Sequence, residues 1–177
     1  GAYAADANTT GDNNTAVGRN SLANNTTGND NTGLGYYALG ANTTGIYNVA
    51  VGGFALDSNT TGGQNTAIGL FAQTNSTTAQ NNVAIGYNSL ADCTTGSENI
   101  AIGRDALKET TTSSNNVGVG YAAGYNNTTG VHNVAVGSYA LYTSNDGDYN
   151  TAIGGQALYY NTSGDKNTGI GYDALQD

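Results

Sequence analysis

The stretch NTAVGRNSLANNTTGND, residues 14–30, decides the fold because the chain repeats it without changing its length. The next seventeen residues read NTGLGYYALGANTTGIY, and the seventeen after those read NVAVGGFALDSNTTGGQ. Each copy opens on an Asn, and every interval between these residues is seventeen. The ten opening residues are Asn14, Asn31, Asn48, Asn65, Asn82, Asn99, Asn116, Asn133, Asn150 and Asn167. A fixed period of this length indicates a stack of repeated structural units.

Positions within each repeat are numbered here as slots 1 to 17, starting at its Asn. Slot 5 is always Gly, slot 2 is Thr, Val or Ile, and slot 4 is Val, Ile or Leu. Slot 3 is Ala or Gly, slot 8 is Ala or Ser, and slot 9 is Leu in eight of the ten repeats. Slots 12 to 15 usually read Asn-Thr-Thr-Gly. Because the pattern runs from end to end, we expect residues 1–177 to form a single repeat domain.

The repeat predicts an all-β parallel solenoid of about ten coils. A β-branched residue followed two places later by Val or Ile suits a strand, whereas the Gly and Asn-Thr-Thr turn leave no room for an ordinary helix. In a parallel solenoid each strand pairs with its copy one repeat away, so the length must stay constant to keep the register. We expect slots 2 and 4, with Leu in slot 9, to form the core, and the slot 1 Asn side chains to form a ladder.

Slot 3 carries a signal of its own, because it points away from slots 2 and 4 yet is never polar and never larger than Ala. Either another wall of the same coil or the same column of a neighbouring chain could pack against it. We favour the neighbouring chain, since cyclic homo-oligomers are a common way to cover such a surface. The candidate interface residues are Ala16, Gly33, Ala50, Ala67, Ala84, Ala101, Gly118, Ala135, Ala152 and Gly169.

The composition excludes several partners and chemistries. A net charge of -9, with four cations in all, argues against nucleic acid or an anionic membrane as main partner, and no apolar run is long enough to insert into a membrane.

Cys93 is the only Cys and His132 the only His, and the carboxylates lie on turns without a partner base. We therefore expect no enzyme and no cofactor. Acidic turns in slots 16 and 17 lack the calcium β-roll pattern, so we expect no metal.

Tyrosine is the candidate binding residue, with thirteen copies against two Phe and no Trp. Slot 10 holds Tyr125, Tyr142 and Tyr159 in consecutive repeats, slot 6 holds Tyr36, Tyr87, Tyr121 and Tyr172, and slot 7 includes Tyr37 and Tyr139. Exposed aromatic rows are typical of surfaces that bind sugars or proteins. The alternative, that these rings line an oligomer seam or shield the sheet edge, stays open.

The Thr pairs in slots 13 and 14 raise a further hypothesis. Stacked Thr columns at strand spacing could match an ice lattice. However, adjacent Thr residues in an extended strand point in opposite directions, and a turn whose hydroxyls bond to the backbone explains the pairs more simply.

The blocks NVAVG, NTAIG, NVAIG and NIAIG, each followed by a small residue and Leu, resemble the head repeats of YadA-like trimeric autotransporter adhesins and related phage tail-fibre repeats. The resemblance covers all ten blocks and implies a left-handed parallel β-roll, three chains around one axis, an extracellular location and an adhesive or fibre role. It also implies core positions at Val49 and Val51, a small residue at Ala50 and a corner at Gly52. The added Asn-Thr-Thr-Gly turn makes these repeats longer than the typical head repeat.

The sequence thus leads to one main hypothesis, a non-catalytic segment of an extracellular fibre or adhesin head on a cell or virion surface. We expect a homotrimer, and the unpaired strand edges at its ends favour end-to-end stacking into a filament. The first residue is Gly rather than Met, which leads us to expect a processed product or a fragment. A module that binds glycans or matrix proteins through the Tyr rows is the alternative, followed by an ice-binding solenoid.

Overall fold

One short strand recurs in every repeat, always over slots 2 to 4. The computed structural model describes residues 1–176, and within them the rest of each repeat forms turns and bends without a helix. The strands are β1 (Thr15–Val17), β2 (Thr32–Leu34), β3 (Val49–Val51), β4 (Thr66–Ile68), β5 (Val83–Ile85), β6 (Ile100–Ile102), β7 (Val117–Val119), β8 (Val134–Val136), β9 (Thr151–Ile153) and β10 (Thr168–Ile170). A β-branched residue or Leu at each end of the strand favours this extended conformation.

The ten strands form one parallel sheet in chain order, β1 to β10. Each slot pairs with the same slot of the next coil, so that Ala50 lies opposite Ala67 and Val51 opposite Ile68. Main-chain bonds also join the coils outside the sheet: Leu39 N donates to Ala55 O at 3.0 Å, and Phe54 N donates to Tyr36 O at 2.8 Å. The predicted parallel β-solenoid with a 17-residue coil is therefore confirmed, and the constant length follows from bonding around the whole coil.

The interior is built from slots 3, 8 and 9. Leu56 in slot 9 is fully buried, as are Ala50 in slot 3 and Ala55 in slot 8. The same three slots of successive coils form an apolar interior that divides into two clusters, one ending at Leu107 and the other beginning at Ala123. Gln73 and Gly124 interrupt the column of Leu side chains. Because only one large side chain per coil faces inward, the core is narrow.

The prediction that slots 2 and 4 form the core is wrong, and with it the core positions at Val49 and Val51 that the resemblance implied. Both slots point outward: Val17 is 51% exposed and Ile102 is 37% exposed, and Val51 is only half-buried. The reason is the width of the coil. A Cβ atom built on Gly33 in slot 3 would overlap Ser21 Oγ and would lie 3.1 Å from Ala38 O and 3.4 Å from Leu22 Cγ. The interior accepts a methyl group from the strand and nothing larger, so the branched side chains turn out.

The prediction that slot 3 forms an interface between chains is also wrong. Its side chains point into their own coil, so the alternative of another wall of the same coil is the one observed. Nine of these positions are buried and the one in β1 is half-buried, which leaves no slot 3 surface for a partner. The residues concerned are Ala16, Gly33, Ala50, Ala67, Ala84, Ala101, Gly118, Ala135, Ala152 and Gly169.

The coil turns at residues with a left-handed backbone conformation, and of these positions the sequence predicted only the Gly in slot 5. Gly52 in slot 5 has φ +132°, and a Cβ atom there would lie 2.5 Å from Gly69 O in the next coil. Slots 7, 9 and 17 also have positive φ although they are seldom Gly, as in Tyr37 (57°), Leu39 (54°) and Tyr47 (58°). Such residues usually avoid this region, so the coil-to-coil bonds and the burial of Leu must hold them there.

One column of Asn side chains runs along the whole stack, and a second runs along its first part, from Asn8 to Asn59. In slot 1, Asn48 N donates to Asn31 Oδ1 at 3.0 Å, and Asn48 Nδ2 donates to Gly62 O at 2.9 Å, so the expected Asn ladder is present. Slot 12 forms a second ladder that we did not predict, with Asn42 Nδ2 donating to Asn25 Oδ1 at 2.8 Å. Both columns are buried over most of their length. They connect the turn to the sheet and each coil to the next.

Candidate functional surfaces

The widest uniform surface is the outer sheet face, which we define as slots 2 and 4 of β1 to β10. Slot 4 is aliphatic in every coil, slot 2 is Thr, Val or Ile, and the face carries no charged residue. Its side chains are half-buried or exposed from Val17 at one end to Ile170 at the other. At roughly 4.8 Å per coil the ten strands extend about 45 Å. An apolar surface this long and continuous is typical of a contact face.

The slot 10 tyrosines stack on one another along one side of the solenoid. The ring centroids of Tyr125 and Tyr142 are 5.3 Å apart, and those of Tyr142 and Tyr159 are 5.1 Å apart with an interplanar angle of 19°. Each ring therefore covers much of its neighbour's face, and all three residues are half-buried. Burial among these groups raises the pKa of Tyr142. The stack offers a partner mainly ring edges and hydroxyl groups rather than open ring faces.

A cation closes one end of this stack. Lys108, one period before Tyr125, places Nζ 5.1 Å from the Tyr125 ring centroid and donates a hydrogen bond to its hydroxyl at 3.0 Å. That hydrogen bond raises the pKa of Lys108. Sequence reasoning missed Lys108 as a member of the column, although the 17-residue offset would have found it.

Slots 6 and 7 form a second aromatic surface around the corner from the outer sheet face. Tyr37, Phe54 and Phe71 in slot 7 stack at centroid distances of 5.8 and 5.3 Å. In slot 6 the guanidinium of Arg104 lies 5.7 Å from the Tyr87 ring and 5.6 Å from the Tyr121 ring, one on each side along the column. Arg104 lies in the coil of β6 and thereby connects the aromatic residues in the coils of β2 to β5 with those in the coils of β7 to β9.

The predicted tyrosines therefore divide by exposure. In slot 6, Tyr36, Tyr87 and Tyr121 are 41 to 44% exposed, whereas Tyr37 and Tyr139 in slot 7 are half-buried. Tyr139 joins the two surfaces, since its ring lies 5.0 Å from Tyr121 and 5.5 Å from Tyr142. Tyr172 is exposed in the last coil.

The two Thr positions of the turn differ in what their hydroxyls do. Thr43 Oγ1 in slot 13 donates to Thr60 O at 3.0 Å, and its counterparts repeat that bond in neighbouring coils. The slot 14 residues, such as Thr44 and Thr61, are exposed. The turn thus presents one file of free hydroxyls, one residue wide, rather than the paired array of the ice-binding hypothesis.

The reactive side chains are dispersed. Cys93 is buried in slot 12, and burial raises the pKa of its thiol to about 12. His132 stacks on Tyr149 at 4.9 Å. Within residues 1–176, no three His, Cys, Asp or Glu side chains come together in a group that could hold a metal ion.

Comparison with known proteins adds no relative: no family model, curated protein or solved structure matches the chain. The likeness to YadA-like and tail-fibre repeats thus stays a prediction from the repeat motif. The described part of the chain, residues 1–176, has no helix long and apolar enough to cross a membrane.

Proposed function

We propose that this chain is a non-catalytic segment of an extracellular fibre or adhesin head, in which three copies pack through their outer sheet faces. The observation that carries the proposal is the uncharged face, aliphatic in slot 4 and Thr, Val or Ile in slot 2, that continues through all ten coils and that no other element within residues 1–176 covers. This contact replaces the slot 3 interface, whose residues lie inside the coil. The number of three chains and the extracellular location come from the likeness to YadA-like head repeats.

The energetics favour a seam along the whole stack. Completing the burial of a half-exposed Val, Ile or Leu contributes about 1 kcal/mol, so the ten slot 4 residues together contribute on the order of 10 kcal/mol per chain. Association itself costs roughly 4 to 15 kcal/mol. A contact over a few coils contributes too little to reach that range, whereas a contact over all ten coils is of the same size as the cost. The unchanged slot 4 chemistry from Val17 to Ile170 fits this requirement.

The mass of the assembly under native conditions tests the proposal. One chain is 17.8 kDa, so three copies have a mass of about 53 kDa, and we expect this species at micromolar concentration by light scattering after gel filtration. Replacing Ile85 and Ile102 by Asp places two charges on the outer sheet face and should give monomers. A monomeric parent protein would contradict the proposal.

A matched control separates loss of the seam from the effect of added charge. Thr95→Asp with Thr112→Asp adds the same two charges to the same two coils, but in exposed slot 14, where Asp146 already occupies the equivalent place. We expect this variant to keep the parent mass. Equal circular dichroism for both variants and the parent would show that each coil remains folded.

A second candidate function, recognition of a glycan or matrix protein, is favoured by the exposure of Tyr36, Tyr87 and Tyr121. Two of these rings, Tyr87 and Tyr121, lie beside Arg104, which also offers hydrogen-bond donors. Replacing all three by Ser should abolish binding to a glycan array or to matrix proteins. The variant Tyr125→Ser with Tyr142→Ser and Tyr159→Ser, which alters the covered stack, is the comparison, and binding that survives the slot 6 changes would exclude this surface.

A further inference from the structure

A notch interrupts the surface of the turn at Gly63, the only Gly in slot 16. Its volume is about 290 Å³, and it is lined by slots 14, 16 and 17 of neighbouring coils. The residues that form this Gly63 notch are Thr44, Ile46, Tyr47, Thr61, Gly63, Gln64 and Gln80. The notch is separate from the outer sheet face and from the stacked tyrosines.

In five other coils a side-chain oxygen fills this position, whereas among residues 1–176 the side chains of Ile46, Gln80 and Val131 make no such bond. Asp148 Oδ1 accepts a hydrogen bond from Val131 N at 2.8 Å, and Asp165 Oδ1 accepts one from Asp148 N at 2.8 Å. Ser97 and Ser114 do the same through Oγ for the preceding coil, at 3.1 and 3.0 Å. A side-chain oxygen in slot 16 therefore serves as acceptor for the slot 16 N–H group one coil earlier.

At Gly63 this oxygen is missing. A Cβ atom on Gly63 would lie 3.0 Å from Ile46 O, a tight contact that requires a small shift, and 3.8 Å from Ile46 N. A side-chain oxygen one bond further would be placed to accept the proton of Ile46 N–H. Within residues 1–176, the N–H groups of Ile46 and Gly63 have no acceptor. The notch thus holds two unpaired main-chain donors one coil apart in the described part of the chain: Gly63 has no side-chain oxygen for Ile46 N–H, and the Gln80 side chain does not accept from the N–H of the buried Gly63.

The remaining lining groups are polar, uncharged and equally free. Among the described residues, the hydroxyls of Thr44 and Thr61 and the side-chain amides of Gln64 and Gln80 make no hydrogen bond within the chain. Each amide offers both a donor and an acceptor. No carboxylate, Lys or Arg lines the notch. A ligand that matches these groups is neutral and carries several hydroxyls.

Tyr47 supplies the apolar part of the site. It is 55% exposed, and in the described part of the chain no other aromatic ring stacks on it, in contrast to the slot 10 tyrosines. Ile46, 40% exposed, adds an aliphatic surface next to it. An exposed ring beside a few convergent polar groups is the usual make-up of a small-ligand site.

From this arrangement we propose that the Gly63 notch binds one neutral pyranose unit. One face of the sugar lies on the Tyr47 ring, a sugar oxygen accepts from Ile46 N–H in place of the missing side-chain oxygen, and the Gln amides bond to further hydroxyls. A monosaccharide has few atoms with which to offset the cost of association, so the affinity is in the millimolar range. The proposal does not depend on the oligomeric state.

Amide chemical shifts test the site directly. The probes are the methyl pyranosides of glucose, galactose, mannose and N-acetylglucosamine, each titrated into the isotope-labelled protein. We expect at least one of them to shift the Ile46 and Gly63 amide signals saturably, with the slot 16 amides of other coils unchanged. Failure of all four to shift these two signals would overturn the proposal.

Two variants and a control locate the binding. Gly63→Asp restores the slot 16 oxygen, as in Asp148, and should weaken binding at least tenfold by filling the notch while keeping the fold. Tyr47→Ala should weaken sugar binding at least tenfold, because it removes the aromatic ring while leaving the notch open. Tyr149→Ala changes the same slot 17 in a distant coil and should leave binding unchanged. Equal affinity of Gly63→Asp and the parent protein would overturn the proposal.

Discussion

Asn42 Nδ2 lies 2.8 Å from Asn25 Oδ1, and these two buried side chains occupy the same slot of successive coils. The same amide group also donates to Gly45 O at 3.1 Å, while Asn42 Oδ1 accepts from Asn59 Nδ2 at 2.8 Å. A single side chain thus satisfies buried polar groups in three coils. The slot 12 ladder, which runs from Asn8 to Asn59, therefore joins these coils in addition to the sheet.

Asn42→Ala should destabilise the fold by roughly 2 to 3 kcal/mol, since it leaves Asn25 Oδ1 and Asn59 Nδ2 buried with fewer partners. Urea denaturation followed by circular dichroism measures the change. The matched control is Asn24→Ala in the exposed slot 11, which should change stability by less than about 0.5 kcal/mol. Equal effects of the two variants would show that the column contributes little.

Two adjacent glycines provide a test of the corner. Gly52→Ala should destabilise by roughly 2 to 4 kcal/mol, because it adds a methyl group at φ +132° and 2.5 Å from the Gly69 carbonyl oxygen. Gly53→Ala meets only the flexible end of Leu70, at 3.2 Å, and should be nearly neutral. Thermal unfolding of the two variants would contradict this account if their midpoints were the same.

The coil of β4 departs from most repeats in slots 9 and 12, and giving it their usual Leu and Asn should stabilise the protein. Gln73 is fully buried in the Leu column, and within residues 1–176 its Oε1 has no hydrogen-bond partner, nor has Asn59 Oδ1. The double variant Gln73→Leu with Ser76→Asn adds apolar volume to the core and a donor for Asn59 Oδ1. We expect a gain of about 2 kcal/mol in the free energy of unfolding.

The single variants Gln73→Leu and Ser76→Asn separate the two contributions, because Gln73 Nε2 donates to Ser76 Oγ at 3.2 Å and the two sites are coupled. Each single variant should gain less than the pair. A double variant less stable than the parent would mean that Gln73 is held by interactions better than those of a Leu.

Cys93 should make stability fall at alkaline pH. Burial raises the pKa of its thiol from 9.0 to about 12 in the folded protein, so the unfolded chain loses this proton first as the pH rises. The contribution of the Cys93 thiol to the free energy of unfolding is therefore fully present below pH 9 and is lost between pH 9 and about pH 12. Cys93→Ala lacks this contribution. Denaturant titrations of both proteins at pH 8 and pH 11 should show a larger loss for the parent, and identical losses would refute the prediction.

The 17-residue period predicts which tyrosines share a column but not how their rings contact one another. Their alignment in slots 6, 7 and 10 correctly placed Tyr125, Tyr142 and Tyr159 in one column, because equal spacing in a parallel solenoid means stacking. The distance between coils, however, brings the rings face to face, which a sequence cannot reveal. Likewise Lys108 and Arg104 belong to the columns through contacts that depend on side-chain conformation.

The Gly63 notch could not be predicted for a similar reason. A Gly in a variable slot is unremarkable in the sequence, and its meaning depends on the oxygen that other coils place over the preceding N–H group. That relation exists only once the coils are stacked and the unpaired donors of Ile46 and Gly63 can be identified.

The sequence by itself determined the period, the parallel pairing and the register of the solenoid, because main-chain bonding between coils of equal length allows one alignment. It did not determine which side of the strand faces inward. Alternation separates slot 3 from slots 2 and 4, but the apolar character of Val and Ile suggested the wrong side. Only the tertiary structure decided it: Leu from slot 9 occupies a narrow interior, the space left opposite it admits the methyl group of Ala50, and Val49 and Val51 must face outward.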